Sequence, residues 1–286
     1  MYDCLIIGAG PAGVSASLYT KRANLRTLII YNDKSNLEKT EKIENFYGFA
    51  NGIDGKSLYE EGIKQAKNIG VEVINEEVLK IEISNDCFKI STTKNEYMAK
   101  TVIIATGNKK NTPNIKGIKE FEGKGISYCA ICDGFFYRGK EVCVLGSGNY
   151  AISETNDLIN LAKKVTILTN GKHPPDIRSE NVDINKKEIE AIEGNEKVED
   201  VRFKDNTKIK TEGIFIAEGI AGSVEFAKKL GIIMKNNKIV VNEKMQTNIK
   251  GIYACGDCTG GLLQISKSVY EGTIAGLQVI DYIKNN

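Results

Sequence analysis

The chain has 286 residues, 27% of them charged and 41% hydrophobic, and its formal net charge is +2 at pH 7. This length predicts two domains, each with its own core, and the small net charge argues against a nucleic acid or a membrane surface as partner. The apolar run near the start, Leu5 to Ile7, is far too short to span a membrane, and seven cysteines without a predicted signal segment indicate a cytoplasmic protein with reduced or catalytic thiols.

The chain has a single histidine, His173, in a stretch whose glycine and prolines predict a solvent-exposed loop. A Ser-His-Asp or Cys-His mechanism would depend on this one residue. We therefore expect a carboxylate or a cofactor to carry any proton transfer.

The first predicted strand, an apolar run over residues 3–7, leads into Gly8-Ala-Gly10-Pro-Ala-Gly13. A helical pattern and a second predicted strand, Thr27 to Tyr31, follow it. In this context G-x-G-x-x-G predicts a dinucleotide site, because the glycines let the backbone approach a pyrophosphate at the helix N-terminus. Tyr31 and Asn32 stand where an NAD site would have an acid for the ribose, which favours FAD.

The next segments are Ile43-Glu-Asn-Phe-Tyr-Gly-Phe49, a predicted helix near residues 55–70 and strand patterns over 71–100 that end in a small β-meander. A buried strand then ends in Ala105-Thr-Gly107. Residues 108–117, which include Pro113, are predicted to form a linker that crosses from the first domain into the next one.

The run Cys129-Ala-Ile-Cys132-Asp133 places two thiols two residues apart. Such thiols can close a disulfide, and a helix that begins at the second one would stabilise its thiolate. Asp133 is a carboxylate that can carry a proton to or from sulfur or a neighbouring cofactor. Taken alone, the spacing also fits half of a zinc site or two buried cysteines.

A second unit of this kind, again a strand followed by a glycine-rich turn, begins at Glu141-Val-Cys-Val-Leu145 and continues as Gly146-Ser-Gly148-Asn-Tyr-Ala151. We call Gly8–Gly13 the first fingerprint and Gly146–Ala151 the second fingerprint. A predicted helix to about Ala162 and a predicted strand from Val165 to Thr169 follow. After that strand, Thr169-Asn-Gly-Lys172 offers neither an acid for an NAD ribose nor an arginine cluster for an NADP phosphate. We expect the fold of this unit to be intact and its nucleotide chemistry to be lost.

The remaining patterns predict strands at 197–204 and 208–217, a helix at 223–230, and an apolar strand that ends in Gly256-Asp257. Asp257 can reach a ribityl chain or a pyrophosphate, and the helical run from Gln264 to Ile283 offers its first N–H groups to a flavin. The predicted class is α/β, with two Rossmann-like (three-layer ββα) dinucleotide-binding domains, the second inserted in the first. The predicted domains are 1–111 with 241–286 for FAD, and 112–240 carrying the C-x-x-C.

These motifs together resemble the low-molecular-weight thioredoxin reductases over essentially the full chain. The resemblance implies FAD in a split domain, a redox disulfide of Cys129 and Cys132, thioredoxin as partner, a homodimer, and no metal. It also implies that Cys132 lies nearer the flavin, that Cys129 attacks thioredoxin, and that Asp133 gives and takes the proton. The residues assigned to the FAD site are Gly8, Gly10, Pro11, Ala12, Gly13, Tyr31, Asn32, Asn45, Thr106, Gly107, Gly256, Asp257, Gln264 and Ile265.

The family pattern includes a His-Arg-Arg-x-x-x-Arg stretch that binds NADPH, and this chain has Thr169-Asn-Gly-Lys-His-Pro-Pro175 in a shortened segment instead. That departure resembles the ferredoxin-dependent flavin thioredoxin reductases, in which a reduced iron–sulfur protein supplies electrons one at a time. It implies ferredoxin as the electron donor. Lysines at 109, 110, 116, 119 and 124 are compatible with an acidic ferredoxin, although a charge run is usually a solvated face.

Three alternatives stay open: an NADPH-dependent thioredoxin reductase that uses Lys172 or Arg178, a dithiol oxidase that passes electrons through FAD to oxygen, and a flavin-bound interaction protein. A second C-x-x-C, Cys255-Gly-Asp-Cys258, is expected to hold buried or incidental thiols. An auxiliary redox pair and a four-cysteine zinc site are its alternatives.

Overall fold

The computed structural model describes residues 1–286 apart from Asp33, Lys34, Asn36, 108–112, Cys129, Arg178 and 219–221, and apart from the side chains of Lys39 and Cys132. The chain forms two compact units: residues 1–109 with 222–286, called unit 1, and residues 110–221, called unit 2. Each unit has its own sheet and its own apolar core, so the predicted α/β class with two Rossmann-like units is confirmed.

The helices are α1 (Pro11–Arg22), α2 (Gly55–Asn68), α3 (Ala130–Asp133), α4 (Asn149–Leu158), α5 (Ser223–Leu230) and α6 (Ile265–Asn285). The strands are β1 (Tyr2–Ile7), β2 (Thr27–Tyr31), β3 (Glu72–Asn75), β4 (Val78–Ser84), β5 (Cys87–Thr92), β6 (Glu96–Ile104), β7 (Ile126–Ser127), β8 (Glu141–Leu145), β9 (Lys164–Leu168), β10 (Val182–Asn185), β11 (Ile189–Gly194), β12 (Val198–Phe203), β13 (Lys208–Lys210), β14 (Gly213–Ile216), β15 (Met234–Lys235), β16 (Lys238–Ile239) and β17 (Ile252–Ala254).

The sheet of unit 1 has the order β3-β2-β1-β6-β5-β4, and β17 also pairs with β6. The strands β1, β2, β3 and β17 run parallel to their neighbours, and the second half of β6 joins them. The first half of β6 pairs antiparallel with β5, and β5 with β4, as the meander pattern predicts. Because both faces of a parallel sheet are covered, β1 is apolar along most of its length.

Helices α1 and α6 pack closely in unit 1. A Cβ added to Gly272 would lie 2.1 Å from the carbonyl oxygen of Ala12, and one added to Gly276 would lie 2.6 Å from that of Ala16. Backbones approach this closely only where a residue has no side chain. The contact brings the Gly272–Gly276 segment of α6 to the N-terminal half of α1, beside the first fingerprint.

Residues 222–240, predicted to belong to the inserted domain, are part of unit 1. Helix α5 packs against β4, and β16 lies beside the 3-10 turn over Gly256–Thr259. The predicted boundary between residues 240 and 241 therefore differs from the division in the structure. These contacts join segments that are distant in the sequence, and no change of composition marks the point where the chain returns to unit 1.

Unit 2 contains a parallel sheet in the order β10-β9-β8-β14-β7 and an antiparallel sheet of β11, β12 and β13. The two sheets share one core, in which Val201 and Phe203 of β12 meet Leu145 and Ile214 of the parallel sheet. The helix α4 follows β8, as in the first fingerprint unit.

The pattern over 208–217 predicts one strand, and that prediction is wrong. The strand β13 ends at Lys210 in the antiparallel sheet, and β14 begins at Gly213 in the parallel sheet. Gly213 packs against the ring of Tyr137, where an added Cβ would lie 2.2 Å from a ring carbon. The sequence does contain a sign of this break, because Thr211, Glu212 and Gly213 interrupt the apolar residues between Ile209 and Ile214, and the prediction overlooked it.

Candidate functional site

The first fingerprint forms a tight connection between β1 and α1. A Cβ added to Gly13 would lie 1.9 Å from the carbonyl oxygen of Gly8, and one added to Gly8 would lie 2.3 Å from that of Ala105. Gly8 also has a φ of 113°, which other residues rarely adopt. Gly10 is the N-cap of α1 and offers no side-chain cap, so the first amides of the helix are available to an anion.

The end of β6 lies against this turn. Ala105 N donates a hydrogen bond to Ile7 O at 2.9 Å, and the next residue, Thr106, has a buried hydroxyl oxygen that has no hydrogen-bond partner among the described residues. A buried polar atom without a partner is uncommon in a folded protein. Gly107 follows with a φ of 71°. The predicted residues Thr106 and Gly107 therefore lie next to the first fingerprint, with an unused hydrogen-bonding group.

Tyr31 and Asn32 lie at the carboxyl end of β2, beside the end of β1. The ring of Tyr31 meets the ring of Tyr59 edge to face, with centroids 6.5 Å apart. Both predicted residues are half-buried. This is the sheet edge at which Rossmann-like folds bind nucleotides.

Asn45 and Gln264 are brought together from opposite ends of the chain. Asn45 Nδ2 donates a hydrogen bond to Gln264 Oε1 at 3.0 Å. Gln264 is the N-cap of α6, Ile265 is its first residue, and no side chain caps the helix there. The structure thus joins the Asn45 loop to the uncapped N-terminus that was predicted to face a flavin.

Gly256 and Asp257 lie in the turn after β17, which is anchored to the sheet because Cys255 N donates to Ile104 O at 3.1 Å. Gly256 N donates a hydrogen bond to Glu271 Oε2 at 2.8 Å. Glu271, which is almost fully buried, was not predicted from the sequence. The neighbouring sequence does not distinguish a buried acidic residue of an amphipathic helix, such as Glu271, from one that is exposed to solvent.

Of the predicted dithiol, Cys129 and the Cys132 side chain lie outside the described residues. Asp133, at the end of α3, accepts a hydrogen bond from Ser127 Oγ at 2.7 Å. Ala130 N, at the start of α3, donates to Glu154 Oε2 at 2.7 Å, and Glu154 is fully buried on α4. Glu154 of α4 therefore holds the backbone at the start of α3, and Ser127 of β7 holds the carboxylate of Asp133. The sequence analysis did not predict a role for either Glu154 or Ser127.

Two exposed aromatic side chains follow the dithiol turn. Phe135 is 67% exposed and Phe136 is 71% exposed, and their rings meet edge to face. Large apolar side chains exposed together are typical of surfaces that contact another protein.

The second fingerprint has the backbone of a nucleotide site. Gly146 lies between β9 and β14: its N–H donates to Leu168 O at 3.0 Å, and an added Cβ would lie 2.2 Å from Ala217 O. Gly148 is the N-cap of α4 and provides no side-chain cap. Thr169, directly after β9, is fully buried, and its hydroxyl oxygen has no partner in the described part of the chain.

An ion pair between Lys172 and Glu218 spans this second fingerprint. Lys172 lies in the turn after β9, Glu218 follows β14, and these strands are the two neighbours of β8. The pair therefore joins the strand ends on either side of Gly146, across the crevice in which such sheets bind nucleotides. Arg178, the other predicted phosphate ligand, lies outside the described residues, and His173 is exposed, as predicted.

The second C-x-x-C is buried. Cys255 and Cys258 are free thiols that are at most 1% exposed, and Cys258 Sγ donates to Ile104 O at 3.3 Å. Burial raises the pKa of Cys258 to about 12 and raises that of Cys255 well above its usual value. Because the thiolate is the reactive form, these cysteines are poorly suited to disulfide exchange, in agreement with the prediction of buried thiols.

Among the residues that the structure describes, no cluster of histidine, cysteine and acidic side chains could hold a metal ion. No helix in the same residues is both long and apolar enough to cross a membrane.

Comparison with known proteins agrees with this geometry. The chain is 35% identical to a thioredoxin reductase of Bacillus subtilis, over 99% of this chain and 95% of that protein. It is similar to the crystal structure of the atypical thioredoxin reductase TRi from Desulfovibrio vulgaris Hildenborough, with a TM-score of 0.94 and 37% identity over 100% of this chain and 99% of that one. It is also similar to a ferredoxin-flavin thioredoxin reductase from Clostridium acetobutylicum, with a TM-score of 0.75 and 34% identity over the same shares.

Two Rossmann-like units and a C-x-x-C turn define a class of protein, the two-domain disulfide oxidoreductases that use a flavin. Residues 2–272 match the pyridine nucleotide-disulphide oxidoreductases, and the chain belongs to this family, among the homologues of thioredoxin reductase. It is accordingly a flavoprotein with FAD as its cofactor.

Proposed function

We propose that this chain reduces thioredoxin with electrons from reduced ferredoxin, through FAD and a Cys129–Cys132 disulfide. The observation that carries the choice of donor is the Lys172–Glu218 ion pair across the crevice of the second fingerprint. The Glu218 carboxylate offsets the charge of Lys172, so the pair presents no net positive charge to the phosphate of NADPH. The chain is similar along its whole length both to a ferredoxin-flavin thioredoxin reductase and to proteins described simply as thioredoxin reductases, so the choice of donor rests on the ion pair.

The FAD site proposed in unit 1 fits the cofactor in two independent ways. Gly10, the N-cap of α1, has open space beside its Cα, because an added Cβ would meet nothing within 4 Å, and this leaves the helix N-terminus accessible to a pyrophosphate. The hydroxyl of Thr106, buried beside that turn, lacks a partner among the described residues, and a cofactor hydroxyl or phosphate would satisfy it. We assign Tyr31, Asn32, Asn45, Gly107, Gly256, Asp257, Gln264 and Ile265 to the same site.

FAD, when bound, accepts electrons singly and delivers them in pairs, so it can join a one-electron donor to a disulfide. The protein must hold the Cys129–Cys132 turn and move one proton per thiol. In our proposal the electron pair supplied at Cys132 breaks the Cys129–Cys132 bond, Cys129 is released as a thiolate, and Asp133, oriented by Ser127, gives and takes the proton.

Transfer to thioredoxin follows the rules of thiol–disulfide exchange. The Cys129 thiolate attacks one sulfur of the thioredoxin disulfide, and the other sulfur leaves as a thiolate that takes up a proton. Cys132 then attacks Cys129 and releases the second thioredoxin thiol. The enzyme disulfide is re-formed, and thioredoxin has gained two electrons and two protons.

Partners and assembly are part of the proposal. We assign the exposed pair Phe135 and Phe136 to thioredoxin binding. Lys116, Lys119 and Lys124 are exposed, but so are Glu120 and Glu122 among them, so this stretch adds little support for ferredoxin. Lys109 and Lys110 lie outside the described residues.

We also propose a cytoplasmic homodimer. Tyr270 and Leu277 support the dimer, because they are exposed apolar side chains seven residues apart and therefore lie on the same face of α6.

The test is anaerobic turnover of the FAD-loaded protein with thioredoxin and one electron donor at a time. Appearance of thioredoxin thiols with reduced ferredoxin, and none with NADPH, is the expected result. Thioredoxin reduction at the normal rate with NADPH would refute the proposed donor. Oxygen consumption with a small dithiol, without ferredoxin-driven turnover, would instead make the protein a dithiol oxidase.

A further inference from the structure

Two lysines bind the backbone of the turn that carries Gly256 and Asp257. Lys267 Nζ, on the first turn of α6, donates to Gly256 O at 2.8 Å and to Gly260 O at 2.6 Å. Lys238 Nζ, on β16, donates to Asp257 O at 2.8 Å. Three carbonyl groups of a five-residue turn are thus fixed by side chains from two different elements. We call residues 256–260 the Gly256–Gly260 turn.

Glu271 completes this arrangement from the next turn of α6. Its Oε2 lies 3.0 Å from Lys267 Nζ and accepts hydrogen bonds from Gly256 N at 2.8 Å and from Thr259 Oγ1 at 2.9 Å. The side chain of Lys267 is 15% exposed and that of Glu271 is 12% exposed. The Gly256–Gly260 turn is therefore held at an N–H group, at two carbonyl groups and at a hydroxyl by one buried ion pair.

A buried ion pair is not explained by helix stability alone. Taking both charges out of water costs about as much as their attraction returns, so such pairs are weak contributors to folding. An exposed pair at the same spacing, Lys56 and Glu60 on α2, has side chains 68% and 63% exposed and avoids this cost. The buried pair differs from the exposed pair in its contacts with the Gly256–Gly260 turn, and we take these contacts to be its role.

The turn needs such support because of its backbone. Gly256 and Gly260 have φ values of 83° and 81°, and Gly261, just beyond, has 71°. Glycine adopts these conformations readily but also leaves them readily, because it loses more freedom on folding than other residues. Without the lysines, the orientation of these peptide groups, and with it the position of Asp257, would be poorly defined.

We propose that Lys267 and Glu271, assisted by Lys238, are positioning residues that hold the Gly256–Gly260 turn in the shape that binds FAD. This inference rests on the proposed assignment of Gly256 and Asp257 to the FAD site. The pair acts through the turn, and its effect is on cofactor affinity by preorganisation. It has no part in thiol exchange.

The experiment is a titration of the apoprotein with FAD, followed by flavin fluorescence and by the visible absorbance of the bound cofactor. Lys267→Met leaves a buried carboxylate without its cation, and Glu271→Gln leaves a buried ammonium without its carboxylate. Each is expected to weaken FAD binding roughly 10- to 100-fold. The double variant removes both charges and should be weakened by less than the product of the two single effects.

Two further variants calibrate the titration. Lys238→Met removes one hydrogen bond to the turn and should weaken FAD binding by about fivefold. Lys56→Met removes the exposed pair on α2 and should leave FAD affinity unchanged. Glu271→Gln keeps an acceptor for Gly256 N, so it remains testable if Lys267→Met does not fold.

The melting temperature of each apoprotein separates a positioning role from a structural one. Variants that melt earlier but bind FAD with unchanged affinity would show that the pair only supports unit 1, and the inference would be wrong. Independent single effects, with no coupling in the double variant, would also contradict it. A wild-type apoprotein that does not bind FAD would overturn the proposed cofactor site itself.

Discussion

The two units contain the same strand–glycine turn–helix–strand arrangement, yet they differ in what occupies the sheet edge. In unit 1, the uncapped N-terminus of α1 lies beside the partnerless hydroxyl of Thr106. In unit 2, the uncapped N-terminus of α4 also has near it a hydroxyl without a partner among the described residues, that of Thr169, so the difference lies in the Lys172–Glu218 pair that spans the crevice there. Glycines and strand pairing thus maintain the fold of both units. In our proposal, the side chains at the strand ends decide which of the two units binds a nucleotide.

The largest effect expected is from Cys129→Ser. Without the attacking thiolate, thioredoxin reduction should fall by about a thousandfold or more. The measurement is the anaerobic rate of thioredoxin thiol formation with reduced ferredoxin. Cys87→Ser, in β5 of unit 1, is the control and should retain the normal rate. A Cys129→Ser protein that works at the wild-type rate would exclude the exchange scheme.

Asp133→Asn is expected to slow turnover by about a hundredfold, because the amide keeps the size of the carboxylate but cannot give and take a proton. Ser127→Ala leaves the acid in place and removes one hydrogen bond to it, so about a fivefold loss is expected. The comparison is made on thioredoxin reduction across a range of pH. If the two variants lost equal activity with unchanged pH profiles, Asp133 would have a structural role instead.

Equivalent glycines of the two fingerprints provide a direct test of the difference between the units. A Cβ at Gly10 meets nothing within 4 Å, so Gly10→Ala should fold normally while its methyl group obstructs a pyrophosphate. We expect FAD affinity to fall roughly tenfold or more. Gly148→Ala, at the matching position in unit 2, should leave FAD affinity and turnover unchanged.

Titration of both apoprotein variants with FAD gives the result. Equal loss in the two variants would mean that the second fingerprint contributes to cofactor binding after all. No loss in either would mean that FAD does not approach α1 through Gly10.

The smallest effect is expected at the buried C-x-x-C. Cys258→Ala should change turnover less than about twofold and destabilise unit 1 by about 1 kcal/mol, because it removes a buried sulfur and no reactive group. Since burial raises the pKa of Cys258 to about 12, alkylation of its thiol in the folded protein should stay slow from pH 7 to about pH 9. Rapid alkylation of Cys255 or Cys258 would instead support the alternative that these two cysteines form an auxiliary redox pair.

The backbone of this fold was largely predictable, because glycine spacing and apolar runs act locally. Gly8–Gly13, Gly146–Ala151 and the antiparallel meander of β4, β5 and β6 all appear where the patterns predict them. The break between β13 and β14 was missed although Thr211 and Glu212 interrupt the apolar residues there, because both flanking segments have strand patterns.

The side-chain part of the site was less predictable, because its residues meet across long stretches of chain. Nothing beside Lys172 in the sequence reveals that Glu218 neutralises it. Lys238 was predicted to lie in the inserted domain, whereas the structure groups it with unit 1, where it binds Asp257 O. Lys267 and Glu271 have the spacing of an ordinary surface pair, and only their burial distinguishes them.

The electron donor is tested most directly by the anaerobic visible spectrum of the FAD-loaded protein after addition of NADPH and, in a separate sample, of enzymatically reduced ferredoxin. We expect the flavin absorbance to bleach only with ferredoxin and to return when oxidised thioredoxin is added. Rapid bleaching with NADPH would contradict this expectation, because the second unit would then still bind and use a nicotinamide nucleotide.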